Sequence, residues 1–232
     1  MKWLQTVTVS LTLALSCPGT FGQTVGEIGM VGSFLGNGPW EGWNDQWLAL
    51  LGRNGRFELR EVTVNVTREE KPICGDRGFI ANAPPADSDT LLLRGFPTIT
   101  SGPVVTAFDG RKFLLPGEWL DIPLGDNAHW RLRAFGTVRP DLNAGLDDVR
   151  YTNYQVWMMG DGRKVPIFSL DVLDSDGLPQ ILWVGDLDGD RGADIFADIR
   201  THYAGHHFVL FLSSLARTDL VTEAGSLSTG GC

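Results

Sequence analysis

Short apolar runs recur along this chain, and turn dipeptides separate them. Residues 46–51 and 56–66 flank Asn54-Gly55, 104–108 and 111–115 flank Asp109-Gly110, and 155–159 and 163–168 flank Asp161-Gly162. Asn-Gly and Asp-Gly are favoured in type I′ turns, where both central residues need positive φ, so each site predicts a β-hairpin. In 130–135, Trp130, Leu132 and Ala134 alternate with Arg131 and Arg133, the period of a strand with one buried face. Further strands are expected at 91–93, 119–124, 180–184, 195–197 and 209–212. In 56–66 the apolar positions change parity, from Phe57 and Leu59 to Val62, Val64 and Val66, which suggests a bulge near Arg60 or Glu61. Residues 68–89, with Pro72, Pro84 and Pro85, read as a loop, as do 140–148. The Gly/Ser-rich tail 223–231 reads as frayed. The expected architecture is all-β: a mostly antiparallel, hairpin-built sandwich or barrel-like domain.

The densest chemistry lies between the strands 180–184 and 195–197. Asp186-Leu187-Asp188-Gly189-Asp190-Arg191-Gly192-Ala193-Asp194 places carboxylates at loop positions 1, 3, 5 and 9, with Gly192 at position 7. Four carboxylates so close repel one another unless a cation lies between them. Ca²⁺ takes six to eight oxygens in flexible geometry, which a curled acidic loop can supply. The alternative is an acidic turn solvated by water alone. An EF-hand is excluded, because the flanks are strands and Ala197 stands where that loop needs Glu.

The strand–DxDxDxxxD–strand unit at about 180–200 resembles the FG-GAP/VCBS calcium-loop repeats of integrin-type β-propellers and of many secreted bacterial proteins. The resemblance implies Ca²⁺ bound by the side chains of Asp186, Asp188, Asp190 and Asp194 and by the Gly192 carbonyl. Such loops usually carry Gly after the third Asp, where this chain has Arg191. No second full copy occurs, and a propeller needs several. A single loop grafted on a compact β domain is therefore expected.

The N-terminus reads as an export signal over residues 1–22, with Lys2, an apolar stretch and Thr20-Phe21-Gly22 before Gln23. That stretch is too short to span a bilayer, and no later one is long enough. Ala14-Leu15-Ser16-Cys17 is an imperfect lipobox, so a lipid anchor at Cys17 is the alternative to cleavage. The remainder, 23–232, reads as one β-rich domain that is secreted or periplasmic. Without Cys17 two cysteines are left, Cys74 and Cys232, and in an oxidising compartment they are expected to pair. The net charge of −9 argues against nucleic acid as a partner.

Other groups carry weaker signals. His202, His206 and His207 read as ordinary polar loop residues, since zinc needs at least three ligands from a rigid shell, and His202 or Tyr203 could buttress the acidic loop. Trp40, Trp43 and Trp47 form either a glycan-stacking platform or part of the core. No nucleophile elbow, zincin motif or phosphate loop is present in the sequence. The expected function is an exported calcium-binding module for binding, adhesion or structure at the cell envelope, with a glycan or protein ligand. The alternative is a small polysaccharide-active hydrolase.

Overall fold

The computed structural model describes residues 25–35, 42–69, 78–88, 90–124, 128–140, 149–174, 177–201 and 205–230. The predicted signal segment 1–22, Cys17, Cys74, Cys232, Trp40 and His202 lie outside the described residues. In chain order the strands are β1 (Glu27–Met30), β2 (Gly32–Leu35), β3 (Gln46–Arg53), β4 (Arg56–Thr63), β5 (Asn65–Glu69), β6 (Gly78–Asn82), β7 (Leu91–Arg94) and β8 (Gly102–Phe113). They continue with β9 (Trp119–Leu124), β10 (Ala128–Pro140), β11 (Val149–Gly160), β12 (Arg163–Asp174), β13 (Gln180–Asp186), β14 (Asp194–Asp198), β15 (Gly205–Leu212) and β16 (Thr222–Gly230). The protein is thus all-β, and every strand pairing is antiparallel. No helix among the described residues is long and apolar enough to cross a membrane.

Twelve strands form one sheet in the order β1-β7-β3-β4-β8-β13-β14-β15-β16-β2-β6-β5, and β12-β11-β10-β9 form a second. The large sheet curls. The Val25 N–H, just before its edge strand β1, donates to the Ala224 carbonyl of β16 at 3.1 Å. One core fills the curl and includes Trp43, Trp47, Leu92, Phe196, Leu210 and Leu212. A second core lies between the small sheet and the large one and includes Leu132, Tyr154, Met158, Ile195, Val209 and Phe211. Successive residues of a strand face opposite sides. In β14 and β15, Phe196, Phe208, Leu210 and Leu212 therefore enter the first core, while Ile195, Ala197, Val209 and Phe211 enter the second. This explains why those segments are continuous apolar runs rather than alternating ones.

Two of the predicted turns are present. Asn54 and Gly55 (φ 52° and 72°) join β3 to β4, and Asp161 and Gly162 (φ 50° and 71°) join β11 to β12. The third is corrected. The chain runs straight through Asp109-Gly110 as strand β8, and Gly110 (φ 129°) sits at a register shift against β13, where Lys112 opposes Ile181 and Asp109 opposes Trp183. The pair makes a bulge, not a turn.

Other expectations are corrected too. The bulge near Arg60 or Glu61 is absent, because β3 and β4 pair in unbroken register from Gln46↔Thr63 to Arg53↔Arg56. The parity change reflects burial of both faces, Leu59 on one and Val62 on the other. The strand instead breaks at Val64, whose N–H donates to the Asp45 carbonyl at 3.0 Å. The stretch 68–89 contains strand β6, paired with both β2 and β5. The tail is no frayed end: β16 lies inside the large sheet, with Ala224, Leu227 and Thr229 buried and Glu223, Ser226 and Ser228 exposed.

Candidate metal centre

The acidic loop connects β13 to β14, the two central strands that separate the cores. Gly185 pairs with Asp194 across its base. Its two apolar residues anchor it from opposite sides, Leu187 in the core of the curl and Ala193 in the core between the sheets. The intervening polar residues are thereby forced into a tight coil at the sheet's end.

Carboxylates shape that coil. Asp186 accepts the Gly189 N–H at 2.8 Å and the Arg191 N–H at 3.1 Å. Asp194 accepts the Leu187 N–H at 2.7 Å and the Ser213 N–H at 2.9 Å. Gly189 and Arg191 both take left-handed backbone, with φ of 79° and 68°. Arg191 thus adopts the conformation that Gly adopts at low cost, at an expense of about 1–2 kcal/mol for an L-residue. Gly192 is required for space: a Cβ there would lie 2.1 Å from Ser213 Oγ.

Asp186, Asp188 and Asp194 converge, each offering an oxygen within 4.8 Å of the other two. Asp194 is fully buried, and among the described residues Asp188 Oδ1 is buried without a hydrogen-bond partner. The other Asp188 oxygen accepts the Ser214 hydroxyl and, at 3.2 Å, the Thr98 hydroxyl. Asp190 stands apart from this trio. It is exposed, and it accepts the Gly192 N–H at 2.7 Å and the Ser213 hydroxyl at 2.9 Å. Ser213 Oγ also lies 3.1 Å from Asp194 Oδ1, so one serine ties the two carboxylates together.

Burial pushes the Asp194 carboxyl up to about 8; the Ser213 and Leu187 N–H groups oppose this, and the charges of Asp188 and Asp190 add to it. Asp186 is also raised, first by burial and then by Asp190 and Asp188, against the pull of the Arg191 and Gly189 N–H groups. Asp186 and Asp194 therefore do not both ionise cheaply at neutral pH. A divalent cation among them would supply the missing positive charge and give Asp188 Oδ1 its partner, so the donor set fits a hard, oxygen-loving ion.

The sequence did not single out Ser213, Ser214 or Thr98. Ser213 and Ser214 follow β15 directly, and the pairing of β15 with β14 brings them to the loop. Their only sequence signal is two hydroxyl residues ending an apolar strand.

His206 and His207, expected in a loop, lie in a strand. They are near the start of β15, at the end of β14 away from the acidic loop. Adjacent strand residues point to opposite faces. The His206 Nδ1–H donates to Asp198 Oδ2 at 2.7 Å, whereas His207 Nδ1 lies 2.8 Å from Ser228 Oγ. His202 and Tyr203, the residues expected to buttress the acidic loop, lie outside the described residues. Trp43 and Trp47 are 0% and 2% exposed and pack edge to face at 5.4 Å, so they are core residues and offer no glycan platform.

The chain matches no family model, no curated protein and no solved structure. Its site is therefore read from geometry and chemistry.

Proposed function

We propose that this chain is an exported β domain whose 186–194 loop binds Ca²⁺, and that it serves as a binding or adhesion module at the cell envelope or outside the cell. The observation that carries the calcium reading is the meeting of Asp186, Asp188 and Asp194, with Asp194 fully buried and Asp188 Oδ1 buried and unpartnered among the described residues. Asp190 and the Gly192 carbonyl complete the ligand set implied by the FG-GAP/VCBS resemblance. The Ser213 and Ser214 hydroxyls orient the carboxylates around it.

In this reading the ion is structural. It joins the ends of β13 and β14 and holds Leu187 and Ala193 in their separate cores. Export supports the choice of metal, because calcium outside cells is plentiful enough to fill extracellular sites of 10⁻⁴–10⁻³ M affinity. The test is a thermal melt of the oxidised protein against Ca²⁺, with Mg²⁺ and chelator as controls. A saturable rise specific to Ca²⁺ is expected. An unchanged melt at millimolar Ca²⁺ would reduce the loop to a solvated acidic turn.

A further inference from the structure

At the far end of β14 from the acidic loop, four residues later and so about 13 Å along the strand, a second polar group is built into the interior. Asp198 is 1% exposed and ends β14. Its Oδ2 accepts the His206 Nδ1–H at 2.7 Å and pairs with the Arg200 guanidinium at 2.6 Å. Its Oδ1 accepts the backbone N–H groups of His207 at 3.1 Å and Arg200 at 3.3 Å. Burial alone would raise this carboxyl. The His206 hydrogen bond and the Arg200 charge outweigh it and hold Asp198 below the ordinary carboxylate range. The Asp198 contact through Nδ1 fixes the imidazole ring and leaves Nε2 as its other polar atom.

These residues border a cavity of about 240 Å³, which Gln180 also lines. Gln180 opposes Asp198 across the β13–β14 ladder and is 7% exposed. Among the described residues its Oε1 is buried without a hydrogen-bond partner, and so is Arg200 Nε. Leaving such groups unmet costs about 1–3 kcal/mol each. Two such groups around one cavity must be met there, by water or by a bound molecule that displaces it. Phe34 and Phe208 give the same cavity apolar walls, and the His206 ring stacks on Phe208 at 5.2 Å, nearly parallel.

The unmet groups specify a ligand. Gln180 Oε1 needs a hydrogen-bond donor from it, and the Arg200 Nε–H needs an acceptor. Hydroxyl groups do both. Asp198 and Arg200 are already paired with each other, so neither is a free charge for an ionic ligand. The aromatic walls suit the C–H faces of a ring. We propose that this cavity binds a small neutral polyhydroxylated molecule, a single sugar ring or cyclic polyol, through Gln180 Oε1 and Arg200 Nε, beside the His206 ring. The site is separate from the calcium loop and does not depend on it.

The test is NMR of the histidine ring signals in the full chain, with His206 assigned through the His206→Phe variant. D-glucose, D-galactose and myo-inositol are the probes, with acetate and phosphate as anionic controls. A saturable shift of His206 with at least one neutral probe is expected, with His207, on the opposite face of β15, unmoved. Gln180→Leu replaces the unpartnered amide by an apolar group of similar size. It should melt at or above the wild-type temperature while binding at least about tenfold more weakly, a loss of about 1.4 kcal/mol. If Gln180→Leu does not fold, Gln180→Met serves for the same comparison. The proposal is overturned if His206 ignores all three neutral probes, so that the cavity holds water alone. It is equally overturned if the anions shift His206 as strongly, or if the Gln180 variant binds as tightly as the wild type.

Discussion

Asp188→Asn separates the calcium reading from a purely structural one, because it should act oppositely with and without the ion. In chelator the change removes one charge from a trio whose oxygens lie within 4.8 Å. Two unit charges at that separation repel by up to about 3.5 kcal/mol at an effective dielectric of 20. The asparagine carbonyl can still accept the Ser214 and Thr98 hydroxyls, and its amide takes the place of the unpartnered Oδ1. The metal-free variant should therefore melt at the wild-type temperature or above it. With calcium the outcome reverses. At a free concentration one hundred times Kd, linkage adds about 2.7 kcal/mol to the wild type. For a domain of this size about 1 kcal/mol moves Tm by roughly 2–4 °C, so the ion should raise it by about 5–11 °C. If losing a carboxylate ligand weakens binding about a hundredfold, the same calcium gives the variant only about 0.4 kcal/mol, or roughly 1–2 °C. Paired melts in calcium and chelator, with calorimetric titration for Kd, measure both arms. Equal losses of Tm in the two buffers would refute the reasoning, since they would make Asp188 a structural residue with no ion to hold.

Arg191→Gly should relieve the left-handed strain and remove a positive charge beside the site, tightening calcium binding a few-fold and raising Tm slightly; weaker binding by calorimetry would show that the Arg191 side chain supports the loop. Gly192→Ala should drive Ser213 off Asp190 and Asp194, lowering Tm by the equivalent of about 1–3 kcal/mol and weakening calcium binding; a wild-type melt and Kd would contradict the close approach. The pH dependence should differ with and without calcium. Asp194 is raised to about 8 from an ordinary 3.8, so between those values the metal-free native state holds a proton that the unfolded chain has released, and stability in chelator should fall as pH rises from about 4 to 8. Calcium binds the ionised carboxylates, so melts in saturating calcium should lose that decline; parallel pH profiles in the two buffers would refute this.

The sequence carried the local rules well and the non-local ones poorly. Asn54-Gly55 and Asp161-Gly162 are turns because the strands flanking each pair with one another. Asp109-Gly110 has the same turn chemistry, but its flanking segments both pair with β13 and keep the chain extended, so the glycine is used in a bulge. Tertiary pairing overrides the dipeptide there. In β16 the strand period is present, yet Ser, Thr and Gly fill most positions, and only Ala224, Leu227 and Thr229 on the buried face betray it. Composition suggested disorder because the partners, β15 and β2, supply the burial. For the acidic loop, spacing was enough to find Asp186, Asp188 and Asp194. It could not find Ser213, Ser214 or Thr98, which reach the loop through the β14–β15 ladder and the packing of a distant segment.

The placement of both polar sites follows from a single constraint. β14 is buried along its whole length, so its only polar side chains, Asp194 and Asp198, are its two ends. A buried carboxylate must be met by hydrogen bonds and by positive charge. At the Asp198 end the chain supplies its own, through Arg200 and His206, and the carboxyl stays ionised below the ordinary range. At the Asp194 end it supplies N–H groups and hydroxyls but adds further carboxylates, and the pKa moves the other way. The same strand thus ends once in a completed ion pair and once in a cluster of carboxylates. That contrast, within one five-residue strand, is the strongest physical reason to expect a metal at one end and none at the other.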